Sequence, residues 1–403
     1  MLSVFKNKNK RDLDFLFVSG PLGMHLTGGD AVLLKLAESL RNKGYNIGIL
    51  FIPKIENYLY DNLSDYSAYR SYLDSIPKIY KIFAFFFHNN LGMRLLWIKR
   101  KIKGELSGIQ NITGIHIYFQ YLPDNVSSTR AIAVGWRSAY VLKKISYKCH
   151  KYYLIQHDED NISYSGSLKD LAKKTYTFDY RKIIYNHHLA ERFSKDDVIM
   201  IKLGLIWHPE VYTEPELRSN GNVLFILRNG DSKGSKYALQ TALQLSLNKQ
   251  ITFKSFGDYN GDIPKFIKHY GWVNKKTLSK LYNWASIFVI PSVIEGFSLT
   301  TAEAMFAGCA VVASDCLGVR EILKDGLNGF IVPPKNPEIM ANRILELVRD
   351  DKIRLSFANA AKRGILDFTI DNTCQEFLDK ILLSEILGNN SNNVYNRGPN
   401  HFS

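Results

Sequence analysis

Cysteine is scarce in this chain: four residues in 403, Cys149, Cys309, Cys316 and Cys374, with no C-x-x-C pair and no histidine at zinc-site spacing. That argues against a disulfide framework or a structural zinc centre, and reduced, buried thiols are the expectation. No run of about 18 uncharged apolar residues is present, so no segment reads as a membrane-spanning helix. The opening MLSVFKNKNKRD is basic, yet it lacks the apolar core and small-residue cleavage site of a secretory signal. A cytoplasmic location is therefore expected. Zinc-finger spacing, an RNP-like aromatic motif and a basic region with heptads are all missing, so nucleic acid is not an expected partner. G-x-G-x-x-G is absent from SGPLGMHLTGG, and no acidic residue ends the strand in YNIGILFIPK, which argues against a dinucleotide oxidoreductase.

The length, with 46% hydrophobic and 22% charged residues, fits a globular chain with two cores of ordinary size. The net charge of +14 is one-sided: +11 falls in residues 1–200 and +3 in residues 201–403. A basic half usually faces something anionic. The segment IPKIYKIFAFFFHNNLGMRLLWIKRKIKG (76–104) concentrates this character, with seven Lys or Arg, no acidic residue, and interleaved Phe, Leu and Trp. Such a segment suits an anionic membrane surface, each basic residue contributing about 1 kcal/mol. It reads equally as a helix pair with an apolar core side and a solvated basic side.

Apolar runs of strand length alternate with helical periodicity. LDFLFVSG (13–20) reads as a buried strand, followed by the glycine-rich PLGMHLTGGD, a helix AVLLKLAESLRNKG closed by Gly44, and a second strand YNIGILFI. The pattern restarts at NVLFILRNGDSKGSKYALQTALQL (222–245). Two doubly wound parallel α/β domains are expected, the first over 1–209 and the second over 222–387. EVYTEPELRSNG (210–221) reads as the linker, and the polar 388–403 as a disordered tail.

Within IPSVIEGFSLTTAEAMFAGCAVVASD (290–315), two carboxylates interrupt a stretch otherwise suited to burial. SIFVIPS is a strand, Ser298 or Thr300 can cap the following helix, and Gly308 can stop it. Glu295 then lies in the loop at the carboxyl end of a strand and Glu303 about one turn into the helix, where open α/β sheets place ligands. The amides of residues 297–300 form a ready site for phosphate. Carboxylates repel phosphate but accept strong hydrogen bonds from sugar hydroxyls. Taken alone, the pair reads equally as a helix-dipole partner and a solvated side chain.

The longer string YGWVNKKTLSKLYNWASIFVIPSVIEGFSLTTAEAMFAGCAVVASDCLGVREILKDGLNGFIVPP resembles the donor-binding half of family-4 retaining glycosyltransferases of GT-B fold. Its G-x-V, P-S, E-G-F, E-A-M and D-G-x-N-G-x-x-V elements occur in that family's order and spacing. The resemblance implies two Rossmann-like domains facing across a cleft, and a nucleotide-sugar as co-substrate held mainly by the second. Through it, Arg228 and Lys233 in LRNGDSKG match a basic pair that clamps the donor diphosphate, cations that stabilise the leaving group without a metal. Without the family, both read as ordinary loop cations. Glu303 matches the residue holding the ribose, Glu295 the residue beside the transferred sugar, and Gly271-Trp272-Val273 the turn whose backbone meets the base. Phe297, Ser298, Leu299 and Thr300 match the phosphate-facing helix start. Gly28 and Gly29 match the first-domain loop that approaches the phosphates, where a missing side chain permits close contact.

The chain departs from the pattern at Ser298 and Thr300, where glycine and proline are common. In YYLIQHDED (152–160), His157 occupies the setting of a family histidine near the transferred sugar. The same neighbourhood resembles a rhamnosyltransferase-like subgroup, by which Glu159, with Gln156, would matter more. The implied activity is a retaining glycosyltransferase acting on a glycan or lipid-linked acceptor, with no metal and no cofactor, placed in the cytoplasm and peripheral on the membrane face. A catalytically silent GT-B scaffold and a GT-B nucleotide-sugar epimerase are the alternatives.

Overall fold

The computed structural model describes residues 11–20, 28–52, 115–119, 122, 125–160 and 167–395; the basic aromatic segment 76–104 lies outside them. Two compact units result. One takes in the chain up to Tyr185, then Ala190–Lys202 and everything from Ile370 on; the other is Asn186–Leu189 with Leu203–Thr369. Among the described residues no helix is long and apolar enough to cross a membrane.

Among the described residues the first unit holds seven strands: β1 (Arg11–Ser19), β2 (Ile47–Phe51), β3 (His116–Phe119), β4 (Val126–Val134), β5 (His150–Ile155), β6 (Arg181–Ile184) and β7 (Val198–Met200). They lie in the order β3-β2-β1-β4-β5-β6-β7, and β1 pairs in parallel with both β2 and β4. Phe15, Leu16, Phe17 and Val18 are all fully buried, as a strand covered on both faces requires.

The second unit holds β8 (Asn222–Ile226), β9 (Thr252–Phe256), β10 (Ile267–His269), β11 (Ile287–Ile290), β12 (Ala310–Ser314) and β13 (Phe330–Val332), in the order β10-β9-β8-β11-β12-β13. The strand period of two sends Val223 and Phe225 into one core, and Leu224 and Ile226 into another across the sheet. Helices Ser235–Leu245 and Pro337–Arg349 cover the first face. Helices Lys275–Trp284 and Leu299–Phe306 cover the second. Each fully buried Phe or Leu contributes about 1.5–3 kcal/mol. The order reverses between β8 and β11, so their carboxyl ends open a ligand crevice within this one sheet.

Two expectations about domain limits are corrected. The stretch 210–221 belongs to the second unit. Arg218 is buried there, donating to the carbonyls of Thr213 (2.6 Å), Ala285 (2.9 Å) and Ala307 (2.5 Å). Its guanidinium satisfies carbonyls at the end of helix Leu299–Phe306, a role no flexible linker performs. The chain passes into the second unit earlier, where the Leu205 amide donates to Phe368 O at 2.7 Å.

The C-terminal end also differs. Helix Ile370–Tyr395 continues through the first half of the stretch read as a disordered tail, and it belongs to the first unit. Phe377 stacks near Phe15 and Phe17, with centroids at 5.9 and 6.4 Å. Glu385 accepts from Arg130 Nε and Nη2 at 2.7 and 2.8 Å and from Tyr152 Oη at 2.8 Å. With residues 370–385 so anchored, adding further helical turns requires no new nucleus, and low apolar content does not stop propagation.

Candidate active site

The loop after β8 brings two cations to the crevice. Gly230 (φ 97°) and Gly234 (φ 67°) bracket a 3-10 turn, Asp231–Lys233. A Cβ on Gly234 would stand 2.0 Å from Pro291 O, and Val293 N donates to Ser232 O at 2.8 Å. Only glycine lets the β8 loop lie directly on the exit of β11. Lys233 Nζ consequently reaches both Glu295 oxygens, at 3.0 and 3.1 Å, and Ser292 Oγ donates to Glu295 Oε1 at 2.9 Å. Arg228 Nε lies 3.6 Å from Asp258 Oδ1, beyond hydrogen-bond length, and is buried without a hydrogen-bond partner among the described residues. Glu295 is therefore paired with Lys233 and Ser292 instead of standing as a solvated carboxylate.

Helix Leu299–Phe306 follows β11, with Ala307 as its C-cap and Gly308 at φ 77°. Ser298 occupies the N-cap position, but its hydroxyl meets Thr301 Oγ1 at 2.7 Å instead of a backbone amide. The expected side-chain cap is therefore missing, and the leading amides at Leu299 and Thr300 are not capped by Ser298. Phe297 packs against the core beneath. Glu303 lies inside the first turns, nearly buried, and accepts from Tyr282 Oη at 2.9 Å. Burial pushes its carboxyl up to about 7, with the Tyr282 hydrogen bond and Lys275 drawing it back. The turn expected at the base has Gly271 at φ 63°, its carbonyl accepting from Gly257 N at 2.9 Å; Val273 rests on the core and Trp272 is 61% exposed.

Some neighbours of Glu295 carry no signal in the sequence. Leu317 has φ 65° and ψ −59°, a classic γ-turn closed by Gly318 N to Cys316 O at 2.8 Å. Glu295 N donates to Cys316 O at 3.0 Å, and Gly318 N reaches Glu295 O at 3.2 Å. A strained turn thus clamps the backbone of Glu295. On the other side, Asn186 Nδ2 donates to Gly296 O at 3.0 Å, and His187 meets Glu321 through both its amide and Nδ1, each at 2.8 Å. Leu317→Gly is expected to raise stability by about 1 kcal/mol, since strain of about 1–3 kcal/mol exceeds glycine's entropic cost of roughly 1. Urea unfolding checks this; a lowered midpoint would mean that Leu317 packing outweighs the strain.

In the first unit, Gly28 and Gly29 open helix Gly28–Asn42, within its first turn. A Cβ on Gly29 would fall 2.0 Å from Gln156 Oε1, and Gln156 Nε2 donates to Gly29 O at 3.3 Å. The glycine pair and the loop after β5 therefore meet, and His157, next along, is half-buried. Glu159 is different. It is 1% exposed, with Oε2 2.6 Å from Tyr153 Oη and its amide donating to Tyr176 Oη at 2.9 Å. Glu159, expected beside the transferred sugar, is thus enclosed, its carboxylate accepting from Tyr153 and its amide donating to Tyr176.

Residues 221–350 match the family model described as Glycosyl transferases group 1. An uncharacterized glycosyltransferase of Methanocaldococcus jannaschii is 29% identical over 232 residues, 53% of this chain and 57% of that protein. The N,N'-diacetylbacillosaminyl-diphospho-undecaprenol alpha-1,3-N-acetylgalactosaminyltransferase of Campylobacter jejuni is 33% identical over 235 residues, 52% of this chain and 62% of that one. The chain spans about half the length of the curated relatives it matches. Among solved structures, the HepE protein of Anabaena in complex with UDP and glucose aligns with TM-score 0.61 at 16% identity, over 92% of this chain and 99% of that one. The fold is α/β of the GT-B type.

Proposed function

We propose that the chain is a retaining glycosyltransferase that moves a sugar from a nucleotide-sugar to a glycan or lipid-linked acceptor in cell-surface glycoconjugate synthesis. What supports this is the Lys233–Glu295 ion pair at the crevice between β8 and β11, with Arg228 on the loop that leaves β8 and Glu303 on the helix that follows β11. The two cations face the departing diphosphate, whose charge grows in the transition state. Glu303 takes the ribose hydroxyls and Glu295 the transferred sugar, while the leaving phosphate helps to deprotonate the acceptor on the same face. Lys233 and Arg228 supply the positive charge, so the reading needs no metal. HepE bound to UDP and glucose, and the undecaprenol-linked chemistry in the Campylobacter relative's name, support a nucleotide-sugar donor and a lipid-linked acceptor. Cytoplasmic work at a membrane face, with segment 76–104 on anionic lipid, fits the same reading.

A panel of UDP-, GDP- and dTDP-sugars in thermal-shift measurements tests the donor site. At 100 times its dissociation constant the right donor adds about 2.7 kcal/mol of stability. If no nucleotide-sugar moves the melting point, the reading fails.

A further inference from the structure

Asn186 is 4% exposed within the second unit, and both ends of its carboxamide are committed. The Leu189 amide can only donate, so the atom it meets at 3.1 Å is Oδ1, the N-cap contact of the helical turn His187–Ala190. The Gly296 carbonyl can only accept, so the atom facing it at 3.0 Å is Nδ2. Cap and grip thus use different atoms of one side chain. The place of Asn186 is itself fixed. The 3-10 turn Gly318–Glu321 holds the next residue, His187, through Glu321, and the same turn reaches Glu295 O through Gly318 N at 3.2 Å. A Cβ on Gly318 would stand 2.6 Å from Glu295 O and from Gly296 O, so backbone closes directly on backbone there.

Every described peptide is trans, so the C=O and N–H of one peptide point in opposite directions. Gly318 therefore turns the Gly296 N–H away from itself, and Asn186 turns the Phe297 N–H away from the turn it caps. Neither amide closes a hydrogen bond among the described residues, although Gly296 is buried. Both follow directly on Glu295, whose carboxylate is occupied by Lys233 and Ser292. We propose that Asn186 is a positioning residue of this crevice: by holding the Gly296 carbonyl it aims the Phe297 amide at the diphosphate that Lys233 and Arg228 are read to clamp. The inference rests on that reading, and Asn186 itself touches no substrate. Without the grip the Gly296–Phe297 peptide can rotate, since glycine tolerates conformations that other residues resist. A rotated peptide offers the anion a carbonyl oxygen in place of an amide hydrogen.

Gly-Phe occurs twice in the sequence, at 296–297 and 329–330, so the full chain labelled with carbonyl-13C glycine and 15N phenylalanine gives two carbonyl–amide correlations in NMR, the second an internal control. Phe330→Leu removes one and so assigns them. The probe is inorganic pyrophosphate. In the parent the Phe297 signal is expected to move on titration while the Phe330 signal stays. Asn186→Asp keeps an acceptor for Leu189 N but sets a carboxylate oxygen against Gly296 O. At about pH 7 the shift at Phe297 should then be lost and pyrophosphate should bind roughly 10- to 100-fold more weakly, the loss of one hydrogen bond to a charged group. At about pH 5 the carboxyl of that variant, raised by the facing carbonyl, is protonated and donates again, so its affinity relative to the parent at the same pH recovers. Loss of a helix cap or of packing gives no such recovery. A Phe297 signal that pyrophosphate leaves unmoved in the parent, or that moves equally in parent and variant, would overturn the proposal. If Asn186→Asp does not fold, Asn186→Ser, which can still cap but is too short to reach Gly296 O, takes its place in the comparison at about pH 7. The donor reading fails separately: it falls when no nucleotide-sugar moves the melting point, and stands when one does even if the Phe297 signal ignores Asn186.

Discussion

Lys233→Ala is expected to lower sugar transfer and donor hydrolysis together by roughly 10²–10³-fold, the usual loss when one group that stabilises developing negative charge is removed. Both reactions pass through the same departing diphosphate, so both should fall by the same factor. The ion pair with Glu295 adds a second expectation. Without Lys233, Glu295 keeps Ser292 Oγ at 2.9 Å as its one side-chain donor among the described residues. Glu295→Ala should then reduce turnover more than donor affinity, and the double variant should lose less than the product of the two single losses, because contacting residues couple. Steady-state kinetics on all three variants checks this. Unchanged hydrolysis in Lys233→Ala would contradict the clamp, and strict additivity would mean that the pair does not act together.

Donor binding should strengthen as pH rises through about 7, through Glu303. Burial holds a proton on this carboxyl up to about 7 in the free protein, whereas the unfolded chain releases it near pH 4.3. Its contribution to stability is therefore complete below that unfolded value and is lost as pH rises through about 7. Ribose hydroxyls donate best to the ionised form, so affinity has the opposite dependence and grows on the alkaline side. Glu303→Ala should weaken nucleotide-sugar binding by about 1.5–3 kcal/mol, or roughly 10- to 100-fold. Glu303→Gln keeps an acceptor for Tyr282 Oη and should remove the pH dependence while retaining the fold. Calorimetric titration of donor at several pH values checks both. A flat pH profile in the parent, or unchanged affinity in Glu303→Ala, would return Glu303 to a structural role.

What the amino-acid sequence determined by itself was whatever rests on local order. Alternating apolar strands and amphipathic helices announced two parallel α/β units, because strands covered on both faces must be nearly continuous in Val, Ile, Leu and Phe. The spacing of Arg228, Lys233, Glu295 and Glu303 around strand ends was also legible, since each lies within a few residues of a strand or helix terminus. Tertiary structure decided everything that depends on contacts between distant segments. Only packing shows Arg218 serving the carbonyls of a helix some ninety residues later, with Ala307 at |i−j| = 89. Only packing sends the C-terminal helix to Phe15 and Phe17, or bends Leu317 into a γ-turn against Glu295. The same holds for Glu159. His157 and Glu159 lie two residues apart, a spacing that would put both on one face of a strand, yet His157 is half-buried while Glu159 is enclosed and accepts from Tyr153 Oη, and only packing decides that difference.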